Sequence, residues 1–268
     1  MTSSQPHSIP GVTIERLGCG LGSLRISLDA PARRLDPVAR QRMDEVWARE
    51  AARNPRLFDA PMLSAVEVDA AGGHIRCRRG SYRELVAHPI VDTGVLQVSV
   101  TGVCLGQDAR GAEHVMLARR GAQTRIYGGM WELAPSGGLD APVRASSDAP
   151  SEMTGRDAWD QVMLELEEEL GLENSGAIGP SDPACLCTDP HARSIDIVFP
   201  VRVAWVVGEA VGDGADVGAV AGAPVGGMAW EYDRVRWVPL AEVAAFDARH
   251  AGEIIAPSRA LLRWFGWV

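Results

Sequence analysis

Glu165, Glu168 and Glu169 are related as i, i+3 and i+4, so on a helix of about 3.6 residues per turn their carboxylates fall within one turn of each other. Trp159, Val162, Met163, Leu166 and Leu170 share a separate apolar stripe, and Glu167 points elsewhere. The spacing predicts one helix with a core face and an acid face, bounded by Asp157 as N-cap and Gly171 as a left-handed C-cap. Three like charges this close repel, and no Lys or Arg lies among them to relieve the repulsion. Hard divalent cations such as Mg2+, or Mn2+ in its place, take carboxylate oxygens and keep positions open for substrate phosphates, so metal-assisted hydrolysis is the chemistry this face suits. Spacing alone leaves a solvated acidic helix surface as the alternative.

The elements that must position this helix are legible on both sides of it. Residues 1 to 11 read as disordered, and Leu24, Ile26 and Leu28 alternate with polar residues as a strand does. Asp36-Pro37 starts a helix with Met43, Val46 and Trp47 on its apolar side, and Asn54-Pro55 ends it. Residues 62 to 69 and 74 to 79 read as strands and Ser81 to Val86 as a short helix. From Gly94, the run Leu96, Val98, Val100, Gly102-Val103 and Leu105 suits a buried strand, and His114 to Arg119 a second. Ala141 to Thr154 is a Ser-, Asp- and Pro-rich loop, Ser194 to Val207 a long strand interrupted by Asp196, and residues 208 to 229 a Gly-, Ala- and Val-rich flexible insertion. A helix over Pro257 to Trp267, with Leu261, Leu262, Trp264 and Phe265, closes the sheet.

Composition bounds the function classes. The 268 residues, 46% hydrophobic and 23% charged, are enough for a proper core. A net charge of −9 excludes the clustered positive surface that grips a nucleic-acid polymer, while a small anionic ligand remains compatible. Five scattered cysteines fit reduced residues of a cytoplasmic protein, and Cys185-Leu186-Cys187 is spaced too closely for a zinc clip, so both read as strand cysteines. No signal pattern opens the chain and no run of about 18 apolar residues occurs, so no membrane is expected.

Leu164-Glu165-Leu166-Glu167-Glu168-Glu169-Leu170-Gly171-Leu172 resembles the second half of the Nudix box. Upstream, Tyr127-Gly128-Gly129-Met130-Trp131-Glu132-Leu133-Ala134-Pro135-Ser136-Gly137-Gly138 looks like the segment leading into that box. Downstream, Val235-Arg236-Trp237-Val238-Pro239-Leu240 with Ala241-Glu242-Val243 is similar to the strand and short helix that follow it. The resemblance implies an α+β fold, an α/β/α sandwich with a mixed sheet between helices, occupying 91–268 after a smaller α+β region at 12–90. Three departures stand out. Twenty-seven positions separate Gly138 from Glu165, longer than the family's spacing by about twelve residues. Leu164 replaces the family's carboxylate-orienting Arg, and the intermediate Glu of the box falls on Arg156, with Glu152 the nearest acidic residue. The N-terminal stretches Asn54-Pro55-Arg56-Leu57-Phe58-Asp59-Ala60-Pro61 and Ser81-Tyr82-Arg83-Glu84-Leu85 resemble two-part Nudix proteins that include UDP-glucose pyrophosphatase.

What the resemblance implies is Mg2+-dependent hydrolysis of a nucleoside diphosphate linked to another moiety, first an NDP-sugar such as UDP-glucose, giving nucleoside monophosphate and sugar 1-phosphate. ADP-ribose, a dinucleotide or coenzyme A are the alternative substrates, and a nucleotide-binding module without turnover the alternative class. Glu165, Glu168 and Glu169, with the Gly138 carbonyl, are the expected metal ligands. Glu165 or Glu231 is the expected base. Arg119 and Arg120, after an apolar strand, offer planar forks for phosphate oxygens, and Tyr127, Asp189 and Arg193 are further candidates for substrate contact at strand ends. Trp131 is expected to pack in the sheet. The expected partner is a small nucleotide, to a monomer or homodimer.

Overall fold

The computed structural model describes residues 11–141, 151–170, 179–207 and 231–268. Ahead of position 90 it has β1 (Thr13–Arg16), β2 (Arg25–Leu28), α1 (Pro37–Arg53), β3 (Pro61–Asp69), β4 (His74–Ser81) and α2 (Tyr82–Ala87). Then come β5 (Gln97–Asp108), β6 (Glu113–Arg120), β7 (Trp131–Leu133), β8 (Ser136–Gly138), β9 (Ser151–Thr154) and α3 (Gly155–Leu170). They are followed by β10 (Cys185–Asp189), β11 (Ser194–Val207), β12 (Tyr232–Pro239), a 3-10 turn over Leu240–Glu242, α4 (Val243–Arg249) and α5 (Ala256–Trp264).

Local chemistry explains the boundaries. Asp36 Oδ1 accepts a hydrogen bond from Ala39 N at 2.8 Å, and Pro37 pre-sets the first turn of α1. Met43 and Val46 of that helix are buried. In β5, Val98, Val100 and Cys104 face one side of the sheet and Val103 and Leu105 the other, as period-two geometry requires.

The described strands form one mixed twelve-stranded sheet, the α+β class expected from sequence. β5 and β11 pair in parallel at its centre. On one face α3 packs Ala158, Trp159, Val162 and Leu166 against Val98, Val100, Phe199 and Val201. On the other, Val243, Phe246, Leu261 and Leu262 of α4 and α5 cover Val103, Leu105, Val115 and Leu117. Each buried Val, Leu or Phe among these contributes about 1.5–3 kcal/mol through loss of apolar contact with water. Gly102 lets α3 pack closely on β5, since a Cβ there would lie 3.0 Å from Val162 Cγ1 of the helix and 2.8 Å from Pro135 Cδ.

The stretches before and after position 90 share this sheet. β1 pairs with β10, and β3 meets β5 at Ser64 and Gln97, where Ala65 N donates to Leu96 O at 2.8 Å. β2 pairs with β4 on one side and β9 on the other. β9 is a departure from the sequence reading, which makes Ala141 to Thr154 a loop; its end pairs because the edge of β2 offers unmatched backbone donors and acceptors. The N-terminus of α3 is a second departure. The helix begins at Gly155, so Thr154 holds the cap position and Asp157 lies in the first turn, where its Oδ2 accepts from both Thr154 N and Thr154 Oγ1 at 2.7 Å. The remainder of that loop (142–150), the expected Gly171 cap, the start of the chain and the insertion at 208–229 lie outside the described residues. Among the described residues no helix is long and apolar enough to cross a membrane.

Candidate active site

Burial of the Trp159, Val162 and Leu166 stripe turns the acid face of α3 toward β8. Glu165 Oε1 accepts from Gln161 Nε2 at 2.8 Å, and its carboxylate lies so close to Gly137 that any Cβ at that position would overlap it. Glu169 Oε2 accepts from Ser136 N at 3.1 Å. Glu231, from the turn before β12, is hydrogen-bonded to the Glu169 side chain. Glu168 and Glu167 are exposed, as is Leu164, at 42%. The structure therefore gathers Glu165, Glu169 and Glu231, with Glu168 at the rim. Arg156 pairs instead with Asp160 at 2.9 Å and Glu152 with Arg25 at 3.2 Å, so neither is recorded against this cluster's acids.

The electrostatics of the cluster follow from burial without enough positive charge. Burial pushes the Glu165 carboxyl up to about 7, reinforced by Glu168 and Glu231, although the Gln161 amide opposes the rise. Burial, then Glu165 and Glu231, hold Glu169 well above the usual carboxylate range. Glu231 is also raised by burial, tempered by its hydrogen bond with Glu169 and by Arg120. Among the described residues no three His, Cys, Asp or Glu side chains are grouped closely enough to hold an ion as they stand. The donor set nonetheless fits a hard divalent cation in type and in charge, because Glu165, Glu169 and Glu231 bring carboxylate oxygens together, the ligand type such a cation takes.

β8 separates this cluster from a cavity of about 160 Å³ on the α5 side of the sheet, lined by Ser136, Gly137 and Gly138 on one wall. Gly138 pairs with Ser99 of β5, and a Cβ there would overlap the Gln97 amide. The floor is polar: Asp196 interacts with the hydroxyls of Ser194, at 3.2 Å, and Ser99. Burial, with Asp189 adding repulsion, lifts Asp196 to about 7 against those two hydrogen bonds. Tyr127 O–H donates to Asp189 Oδ2 at 2.6 Å while its ring lies 5.2 Å from that of His191. Those contacts offset the backbone cost of a left-handed Tyr127, φ 58°. Arg120 Nη1 donates to Glu132 Oε1 at 2.6 Å, and Tyr232 O–H to the same oxygen at 2.7 Å.

Of the sequence candidates, Arg120, Tyr127, Asp189 and Gly138 line the cavity. Arg119 is held bidentately by Asp233, at 2.7 and 2.8 Å, and Arg193 donates Nε to Val95 O at 3.0 Å, so neither fork faces the cavity. Trp131 packs edge-on to Phe246 at 5.5 Å, in the sheet as expected. Cys185 and Cys187 are free, buried strand residues, with burial pushing Cys185 up to about 12. Sequence reasoning missed Glu132, Asp196 and Arg125 as cavity residues. The first two carry a usable signal, a carboxylate inside an otherwise apolar strand, which a protein rarely buries without a purpose or a partner.

No family model matches the chain, and no curated protein does. Among solved structures it is similar to a MutT protein from Methanosarcina mazei Go1, at 18% identity and a TM-score of 0.36, over 63% of this chain and 91% of that one. A NUDIX hydrolase from Alicyclobacillus acidocaldarius is 14% identical with a TM-score of 0.35, over 63% and 90%. A mutT/nudix family protein from Listeria innocua is 18% identical with a TM-score of 0.30, over 56% and 82%.

Proposed function

We propose that the chain hydrolyses a phosphoanhydride bond in a nucleoside diphosphate derivative, with an NDP-sugar such as UDP-glucose as first substrate class and Mg2+ or Mn2+ as cofactor. The observation that carries the reading is the convergence of Glu165, Glu169 and Glu231 against β8, next to a cavity with a hydrogen-bonding floor. Glu165, Glu168 and Glu169, with the Gly138 carbonyl, are the residues to hold the metal. A divalent ion held there would neutralise charge on the diphosphate and lower the pKa of a bound water. Glu165 or Glu231 takes the proton as water attacks phosphorus and the anhydride P–O bond breaks, releasing nucleoside monophosphate and sugar 1-phosphate. Asp196, Ser99 and Ser194 offer acceptors and donors that suit the hydroxyls of a sugar.

The test is release of nucleoside monophosphate from UDP-glucose, other NDP-sugars, ADP-ribose, dinucleotides and coenzyme A with Mg2+ or Mn2+. Metal-dependent turnover in the parent chain, lost in Glu168→Gln and Glu169→Gln, is the expected result. A second reading, a nucleotide-binding module without turnover, is favoured by Leu164 where the resembled family keeps Arg. Binding of metal and nucleotide with no turnover on any substrate would decide for it.

A further inference from the structure

We infer that Arg125 binds the anionic part of the ligand at the mouth of the cavity, and that Tyr82 of α2 positions it. The inference rests on the reading above that the cavity takes a phosphorylated substrate. Arg125 is exposed and lines the cavity, whose other walls carry Glu132, Asp189 and Asp196. Its neighbours on β6 are committed, Arg119 to Asp233 and Arg120 to Glu132. Arg125 differs, because no carboxylate among the described residues pairs with it. Its Nε donates to Tyr82 Oη at 3.2 Å, and its guanidinium carbon lies 5.7 Å from the centre of the Tyr82 ring.

A neutral partner holds the side chain in place and leaves its charge uncompensated, with the terminal nitrogens free to fork onto phosphate oxygens. Lysine has no such planar fork. The presenting loop is itself built. Thr124 Oγ1 lies 2.9 Å from Gly121 O and 3.1 Å from Ile126 O, Gly129 N donates to Arg120 O at 2.9 Å, and Met130 N to Tyr127 O at 3.0 Å. Tyr82 is anchored from the other side: its N donates to Ala60 O at 2.9 Å, and its ring packs against the buried group of Met62, Leu85 and Val95. The side-chain entropy of ordering an exposed Arg is thus met before any ligand arrives, which is the usual basis of pre-organised binding. It also gives the N-terminal stretch a part in the site.

Calorimetric binding of methylenediphosphonate, a diphosphate that cannot be hydrolysed, to the full chain in Mg2+ tests this. Arg125→Ala should weaken binding about tenfold or more, and Arg125→Lys should recover only part of it. Tyr82→Phe keeps the ring and its packing but removes the acceptor, and should weaken binding about two- to fivefold in the parent and not at all in the Arg125→Ala background, where there is nothing left to position. In turnover, Tyr82→Phe should raise KM and leave kcat unchanged. A parent chain that does not bind the probe, or an Arg125→Ala chain that binds it equally well, overturns the inference. A Tyr82→Phe effect that persists without Arg125 overturns the role of Tyr82. Arg125-dependent binding without hydrolysis of any substrate would overturn the hydrolase reading and leave this inference standing.

Discussion

Two regions of the molecule bury charge and treat it in opposite ways. In the N-terminal stretch, Arg78 is 3% exposed and fully matched, its Nη2 donating to Glu84 Oε2 at 2.7 Å and Thr93 O at 3.3 Å, and its Nη1 to Arg79 O at 3.0 Å. Between α3 and β8, Glu165, Glu169 and Glu231 are packed together with Arg120 as the only described cation acting on them, and that cation is already engaged by Glu132. Matched burial locks an element in place. Unmatched burial costs free energy, and such perturbed groups concentrate at functional sites, which is why the second region, and not the first, is the candidate active site.

The largest effect should come from breaking the matched region. Arg78→Ala leaves Glu84 largely buried without its partner, and chemical denaturation should show a loss of about 3–5 kcal/mol. Replacing both partners by apolar residues of similar size should cost far less, since no charge is then stranded.

The cavity floor offers the next test, through pH. Asp196 is raised from an ordinary 3.8 to about 7. A carboxyl whose folded value is the higher one stabilises the fold below its unfolded pKa and loses that contribution as pH rises through the folded one. The parent chain should therefore lose stability relative to Asp196→Asn between about pH 4 and pH 7, by up to about 4 kcal/mol, and run parallel to it above that window. A difference between the two that stays flat across the window would mean that burial does not raise Asp196.

Smaller again is Tyr127→Phe, which deletes one hydrogen bond to the buried Asp189 and should cost about 1–2 kcal/mol in thermal or urea unfolding. The least structural perturbation is Leu164→Arg. Because Leu164 is exposed, stability should stay within about 0.5 kcal/mol of the parent. If the acid face holds metal as proposed, turnover should rise, because a cation then stands beside carboxylates that now repel one another. Unchanged turnover would indicate that Arg120 already serves the cluster.

Much of this is legible in the sequence. The three-Glu face and the apolar stripe opposite it follow from a period of 3.6, Asp36-Pro37 specifies the start of α1 by side-chain geometry, and the long apolar run at 194–207 coincides with β11. These are local patterns, in which each residue's neighbours within a turn or a strand decide the outcome. Asp157 shows the resolution limit: an acid at the start of a helix was legible, but whether it caps or answers a cap at Thr154 depends on one residue of register.

By itself, then, the sequence determined the alternation of strands and helices, the acid face of α3 and the chemistry its oxygens suit. Only the tertiary structure decided that Glu231 meets Glu169, that Gly137 admits the Glu165 carboxylate, that Arg119 is spent on Asp233 and that Tyr82 reaches Arg125. Those contacts join residues tens of positions apart. Their formation depends on sheet order and on the burial that closes around them, and neither quantity is written in local spacing.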